Sequence, residues 1–300
     1  MQMIKISDIS PLLFGIKDTG FELPIEYVQK FSKADGPIII QSVMEPSVTL
    51  QMTVKDLVNG TIFRVNPITT EINEYNTLNE FTISIDPGVY QATITDGKES
   101  INSIPFSVCK DDSHLNDTMV IDYTNRDNIT SFGAVFDVNN SKRTFRLRVE
   151  GGFKSSSYTL AISNEQFRTQ RQEIIELYSV PYETATLIIG DNEGVPFEMA
   201  RLINNIFCLS EVKINGDTYV RSESSIPEQQ QILEGYQQFN YTLTLERSEN
   251  ISWNGFTEYP DGTSIVGNVS INVNNASDGE VLVFKGSEGS FVNQHNLESL

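Results

Sequence analysis

"TATLIIGDNEGVPFEMARLINNIFCLSEVKINGDTYV", residues 184–220, holds the two periodicities that decide the fold. Its flanks, "TATLIIGD" and "EVKINGDTYV", mix apolar and polar residues with a period near two and are rich in Thr, Val, Ile and Tyr, the pattern of half-buried strands. Between them Met199, Leu202, Ile203 and Ile206 fall at i, i+3, i+4 and i+7, which places them on one face of a helix of about three turns over 196–208. Pro196 suits the first helical position, and Glu198 the positive end of the helix dipole. Asn215-Gly216 can supply the two positive φ angles of a type I′ hairpin. The order is strand, helix, strand, hairpin. The helix must bury its stripe on a sheet, and its two flanking strands are the natural place.

Outward from this stretch the period of two recurs in "SVTLQMTV" (47–54), "TIFRVNP" (61–67), "EFTISID" (80–86), "VYQATIT" (89–95), "SIPFSVC" (103–109), "TMVIDY" (118–123), "TFRLRVEGGF" (144–153), "QEIIELYSV" (172–180), "FNYTLTLE" (239–246), "SIVGNVSINVN" (264–274) and "GEVLVFKG" (279–286). Many short strands separated by turn signals predict a mainly β chain of β-sandwich domains. Asp96-Gly97 reads as a second type I′ hairpin. A chain of 300 residues suits two ordinary domains with an appendage. The polar run "SVCKDDSHLNDT" (107–118) marks the first boundary, and the turn to Asn, Ser and Gly after "YTLTLE" marks the second. The expected division is a sandwich over 1–110, a sandwich with the helix over 111–248, and a small β appendage with a loose polar tail over 249–300.

With a hydrophobic fraction of 39%, 17 Phe and 11 Tyr, the chain has material for real cores. Its formal net charge of −19 opposes binding to nucleic acid through the phosphates, which needs clustered Lys and Arg. From Glu223 onward the only basic residues are Arg247 and Lys285. Cys109 and Cys208 lie far apart and read as small buried hydrophobes, with no disulfide framework. The first residues, "MQMIKISDISPLLFG", lack the order of a signal peptide, so synthesis and residence on the cytoplasmic side are expected. No run of about eighteen apolar residues is present, and no membrane insertion is expected.

A catalytic or metal site should announce itself by spacing, and none does. His114 and His295 sit in polar stretches without HExxH or CxxC companions, and no GxSxG elbow, P-loop or dinucleotide fingerprint appears. The acidic runs "DGKES" and "CKDD" miss the EF-hand register and read as surface loops. The expectation is a protein that is not an enzyme and that holds no cofactor and no metal.

Upstream of the opening stretch, "FRTQRQEIIELYSVPYE" (167–183) asks for another explanation. In a strand over 171–178, Gln172, Ile174, Glu176 and Tyr178 share one face while Arg171, Glu173, Ile175 and Leu177 share the other. Neither face is wholly apolar, so the strand belongs at an edge or against another subunit. Arg168 and Arg171 can pair with Glu173 or with a neighbouring chain's carboxylates. Arg168, Arg171, Glu173, Glu176 and the hairpin Asn215-Gly216 are therefore the interface candidates.

The "GGF" at 151–153, "QFRTQRQEIIELYSVPY" at 166–182, "GVP" at 194–196 followed by the helix, and "YVRSESSIPE" at 219–228 together resemble a protein group encoded by phages and prophages of Bacteroidetes, including crAss-like phages. The resemblance covers roughly residues 20–245. It implies a virion or tail-morphogenesis protein similar to tail-hub or distal-tail proteins, with no catalytic residue to carry over. By the same analogy 1–110 looks like an immunoglobulin-like module. The implied partners are copies of itself in a homo-oligomeric ring and other tail or collar proteins, around a channel through which DNA passes without being specifically bound. A different class also fits: a carbohydrate- or receptor-binding module in which Trp253, Phe256 and Tyr259 of "SWNGFTEYPDG" stack on sugar rings.

Overall fold

The structure, a computed structural model, describes residues 4–16, 27–111, 115–126, 130–190, 192, 194–222, 226–232 and 234–248, and the backbone of 263–266, 269–272, 280–285 and 290–295. The architecture is mainly β, with a single α-helix among the described residues, as the alternation predicts. Two compact units make up the chain: Met1–Thr159 with Glu183–Glu249, and Leu160–Tyr182 with Asn250–Leu300. The boundary expected near residue 110 thus runs through the first unit.

Nine strands open the first unit: β1 (Gln29–Ser32), β2 (Ile38–Met44), β3 (Gln51–Asp56), β4 (Ile62–Val65), β5 (Ile68–Asn73), β6 (Asn76–Ile83), β7 (Gly88–Thr95), β8 (Ser100–Asn102) and β9 (Phe106–Cys109). They form one sheet in the order β1-β9-β7-β3-β4, with β8 on β7, and a second in the order β2-β6-β5. Phe31, Met52, Ile94 and Phe106 of the first sheet share a buried cluster with Ile40 and Phe81 of the second. This is a sandwich core, and alternation arises because one face of each strand meets it. Strand β2 escapes the period of two. It is a continuous run, "IIIQSVM", because Ile40 enters the sandwich core while its neighbours Ile39 and Gln41 meet the second half of the unit. At the β7–β8 turn only Gly97 has a positive φ, 87°, so the expected type I′ turn at Asp96-Gly97 is instead one that begins on glycine.

The second half holds β10 (Thr118–Thr124), two short hairpins β11 (Thr130–Ser131) with β12 (Ala134–Val135) and β13 (Asp137–Val138) with β14 (Ser141–Lys142), then β15 (Phe145–Phe153), β16 (Thr159–Arg168), β17 (Ile174–Ile189), α1 (Phe197–Ile206), β18 (Glu211–Ile214), β19 (Asp217–Arg221), β20 (Glu228–Gln231) and β21 (Phe239–Arg247). Its main sheet runs β16-β17-β15-β10-β18-β19-β21-β20, and β17 also pairs with β21, Thr184 opposite Glu246 through Ile189 opposite Tyr241. Six strands therefore close into a circuit, which leaves no edge within it. The helix stripe of Met199, Leu202, Ile203 and Ile206 is buried in the same core as Leu187, Ile189, Val212 and Ile214, the flanking strands expected to receive it. Pro196 stands one place earlier than predicted, as the N-cap with φ −65° and ψ 156°. Asn215 and Gly216, at φ 51° and 97°, form the predicted β18–β19 turn.

A polar seam joins the two halves. Arg148 on β15 clamps both oxygens of Asp35 at 2.6 and 2.7 Å, Tyr27 donates to Glu150 at 2.6 Å, and Gln41 and Arg143 both donate to Glu80. The Tyr123 hydroxyl donates to the Ile9 carbonyl at 2.6 Å.

In the second unit the backbone of β22 (Thr263–Val266), β23 (Val269–Asn272), β24 (Glu280–Lys285) and β25 (Ser290–His295) forms one sheet, β22-β23-β25-β24. The predicted loose tail is thus partly a strand, because Ser290–His295 finds a full antiparallel partner in Glu280–Lys285.

Candidate assembly interface

The remaining part of the second unit is a two-stranded ribbon. Strand β16, absent from the predicted strands, pairs with β17, and the turn between them closes through Thr169 N–H to the Glu173 carbonyl at 2.9 Å, with Gln172 at φ 66°. The stretches "QEIIELYSV" and "TATLIIGD", read separately in the sequence, are one 16-residue strand. Its second part belongs to the closed circuit, pairing from Thr184 with β21 and from Leu187 with β15. Its first part pairs with β16 alone among the described strands.

The ribbon is apolar and wet on both faces. On β17, Ile174, Tyr178 and Val180 share one face and Ile175 and Leu177 the other, and all five are exposed. On β16, Leu160 and Ile162 are 81% and 62% exposed, and Phe167 on the opposite face is 55% exposed. So many large apolar side chains exposed on two paired strands exceed the scattered exposure usual on a protein surface. The mixed faces recognised around Arg171 have this origin. Arg171 and Gln172 lie in the turn, however, and the strand proper begins at Ile174.

Four of the interface candidates come together here. Arg168 ends β16, Arg171 sits in the turn, Glu173 precedes β17, and Glu176 lies within it, each exposed. The Arg168 Nη1 donates to the Gln172 carbonyl at 3.4 Å, and neither arginine meets a carboxylate among the described residues. The proposed pairing of Arg168 or Arg171 with Glu173 inside the chain is not made. Asn215 and Gly216 belong to the other unit, and the Asn215 side chain is already engaged, its Oδ1 accepting from Val120 N–H at 2.9 Å. Trp253, Phe256, Tyr259 and His114 lie outside the described residues, and of His295 only the backbone is described.

Further large apolar side chains are exposed in the first unit. Val58, Ile62, Ile68 and Tyr75, on and beside the sheet edges β4 and β5, are 62–81% exposed. Their signal was present, since "TIFRV" and "ITTEINEY" carry apolar residues on both parities. Cys208 is exposed, against the expectation of burial: it follows the helix on the side away from the buried stripe. Among the described residues no three His, Cys, Asp or Glu side chains gather as metal ligands. The Asp96 carboxylate accepts from the N–H groups of Glu99 and Lys98 at 2.7 and 2.8 Å, which holds its pKa below the ordinary carboxylate value. Comparison with protein-family models, curated proteins and solved structures finds no match to this chain.

Proposed function

We propose that this protein is a structural subunit of a bacteriophage virion, a tail or collar ring of the hub or adaptor kind that joins tail components around the DNA channel. The observation that carries the reading is the β16–β17 ribbon, which presents apolar side chains to water on both faces and pairs with no third strand among the described residues. Two strands alone are marginally stable in water, and cover from other chains would stabilise such a ribbon. The resemblance over residues 20–245 points to the particle in which those chains would be found. A ring needs heterologous contacts, two different surfaces of one subunit meeting on the next, and the two unlike strands of the ribbon supply candidates. The net charge of −19 suits a wall past which DNA moves without adhering, since like charges repel. The subunit would be made in the host cytoplasm and reside in the virion.

Mass photometry and electron microscopy of the purified protein should show closed oligomers, and mass spectrometry of purified particles should find the chain in them. A protein that stays monomeric and is missing from particles would sink the reading.

A further inference from the structure

We infer that the ribbon is an assembly edge for a second copy of this chain: β16 of one subunit hydrogen-bonds, antiparallel, to the Ile174–Val180 part of β17 in the next. The inference rests on the self-assembly proposed above and specifies its contact.

Open backbone is the first ground. Among the described strands β16 has β17 as its one hydrogen-bonded neighbour, and β17 before Thr184 has β16 as its one neighbour, so no described strand occupies the outer side of either. Elsewhere in the same sheet six strands close on themselves. Proteins that keep an edge solitary protect it with lysine, proline, a bulge or brevity. β16 is ten residues long, about 33 Å at the usual rise, and "TLAISNEQFR" contains neither Lys nor Pro, its charges being Glu165 and Arg168. On β17, Pro181 lacks an N–H, which confines the pairing to the residues before it.

Charge decides which edges meet. The two outer strands differ near the turn: β16 ends on Arg168, with Glu165 three residues before it, whereas Glu173 just precedes β17 and Glu176 lies near its start. When two ribbons lie side by side with their turns level, β16 of one runs antiparallel to β17 of the other. Arg168 then comes beside the neighbour's Glu173 and Glu176, the carboxylates it does not meet in its own chain. Pairing β16 with β16, or β17 with β17, in antiparallel fashion sets the turns at opposite ends and leaves these charges without partners. The heterologous pairing also repeats, because each copy still offers its other edge.

The test uses the full chain with exposed Cys208 changed to Ser. Arg168→Cys on one copy and Glu176→Cys or Glu173→Cys on another are co-expressed with tags of different size and mildly oxidised. Crosslinked heterodimers are expected, without homodimers of either variant. A charge-reversed Arg168→Glu should raise the concentration needed for assembly by about tenfold or more. Adding Glu173→Arg and Glu176→Arg should restore it. Homodimers through position 168, or oligomers in which neither pair crosslinks and charge reversal has no effect, would overturn this edge assignment and leave self-assembly standing. A protein monomeric at every concentration would overturn both.

Discussion

Changing Asp35 to Ala probes the seam that unites the first unit. The Asp35 and Arg148 side chains are 8% and 6% exposed and joined by two hydrogen bonds, and Arg148 also donates to the Thr118 hydroxyl at 3.0 Å. Removing one member of a buried ion pair costs about 3–5 kcal/mol, because the other charge stays desolvated without its counterpart. Arg148 keeps its remaining contacts, so the lower end, about 3 kcal/mol, applies. The same carboxylate accepts from Ser32 N–H at 2.9 Å in a capping box, and its loss adds about 1 kcal/mol. For a unit of this size the sum of about 4 kcal/mol lowers Tm by roughly 10 °C. Urea unfolding followed by far-UV circular dichroism and by tyrosine absorbance should give one transition at lower midpoint, coincident in both signals. The double change Asp35→Leu with Arg148→Met should cost less than Asp35→Ala alone, since it strands no charge. A loss under about 1 kcal/mol for Asp35→Ala would refute the energetic weight given to the seam. Separate transitions for the sandwich and the closed circuit would refute their cooperation.

Three further outcomes are expected. Leu202→Asp, which buries a carboxylate in the helix stripe, should abolish the cooperative transition of the first unit, and an unchanged melting curve would mean that α1 packs elsewhere. Gly151→Ala should cost several kcal/mol, because φ is 134° and the added Cβ would lie 2.1 Å from the Ile188 carbonyl oxygen; a wild-type Tm would contradict that geometry. Burial, and then the Glu198 carboxylate, pushes the Tyr241 phenol up to about 12 from an ordinary value near 10. The unfolded chain loses this proton first, so stability falls as pH rises from about 10 to about 12. Tyr123, raised by burial, adds to the same loss. Tyr241→Phe should be nearly neutral at pH 7, since its hydroxyl has no hydrogen-bond partner among the described residues, and should flatten the alkaline decline; an unaltered pH slope would count against this account.

Local pattern determined a good deal by itself. The period of two, the helix stripe from Met199 to Ile206 and the Asn215-Gly216 turn are legible because each follows from which neighbours along the chain share a face or tolerate positive φ. The mixed faces around Ile174–Tyr178 likewise announced a strand that does not line a dry core. Where an element has two buried faces, as β2 does, alternation vanishes and the pattern falls silent. Only the tertiary structure decided that β17 is continuous, that it closes a circuit with β21, and that β16 has one partner among the described strands. Such facts depend on hydrogen bonds between residues up to some sixty positions apart, and no local periodicity encodes which strand completes a neighbour's ladder. The same holds for Arg168 and Glu176: their charges can be read in the sequence, but only the pairing of strands shows that they stand on opposite open edges of one ribbon.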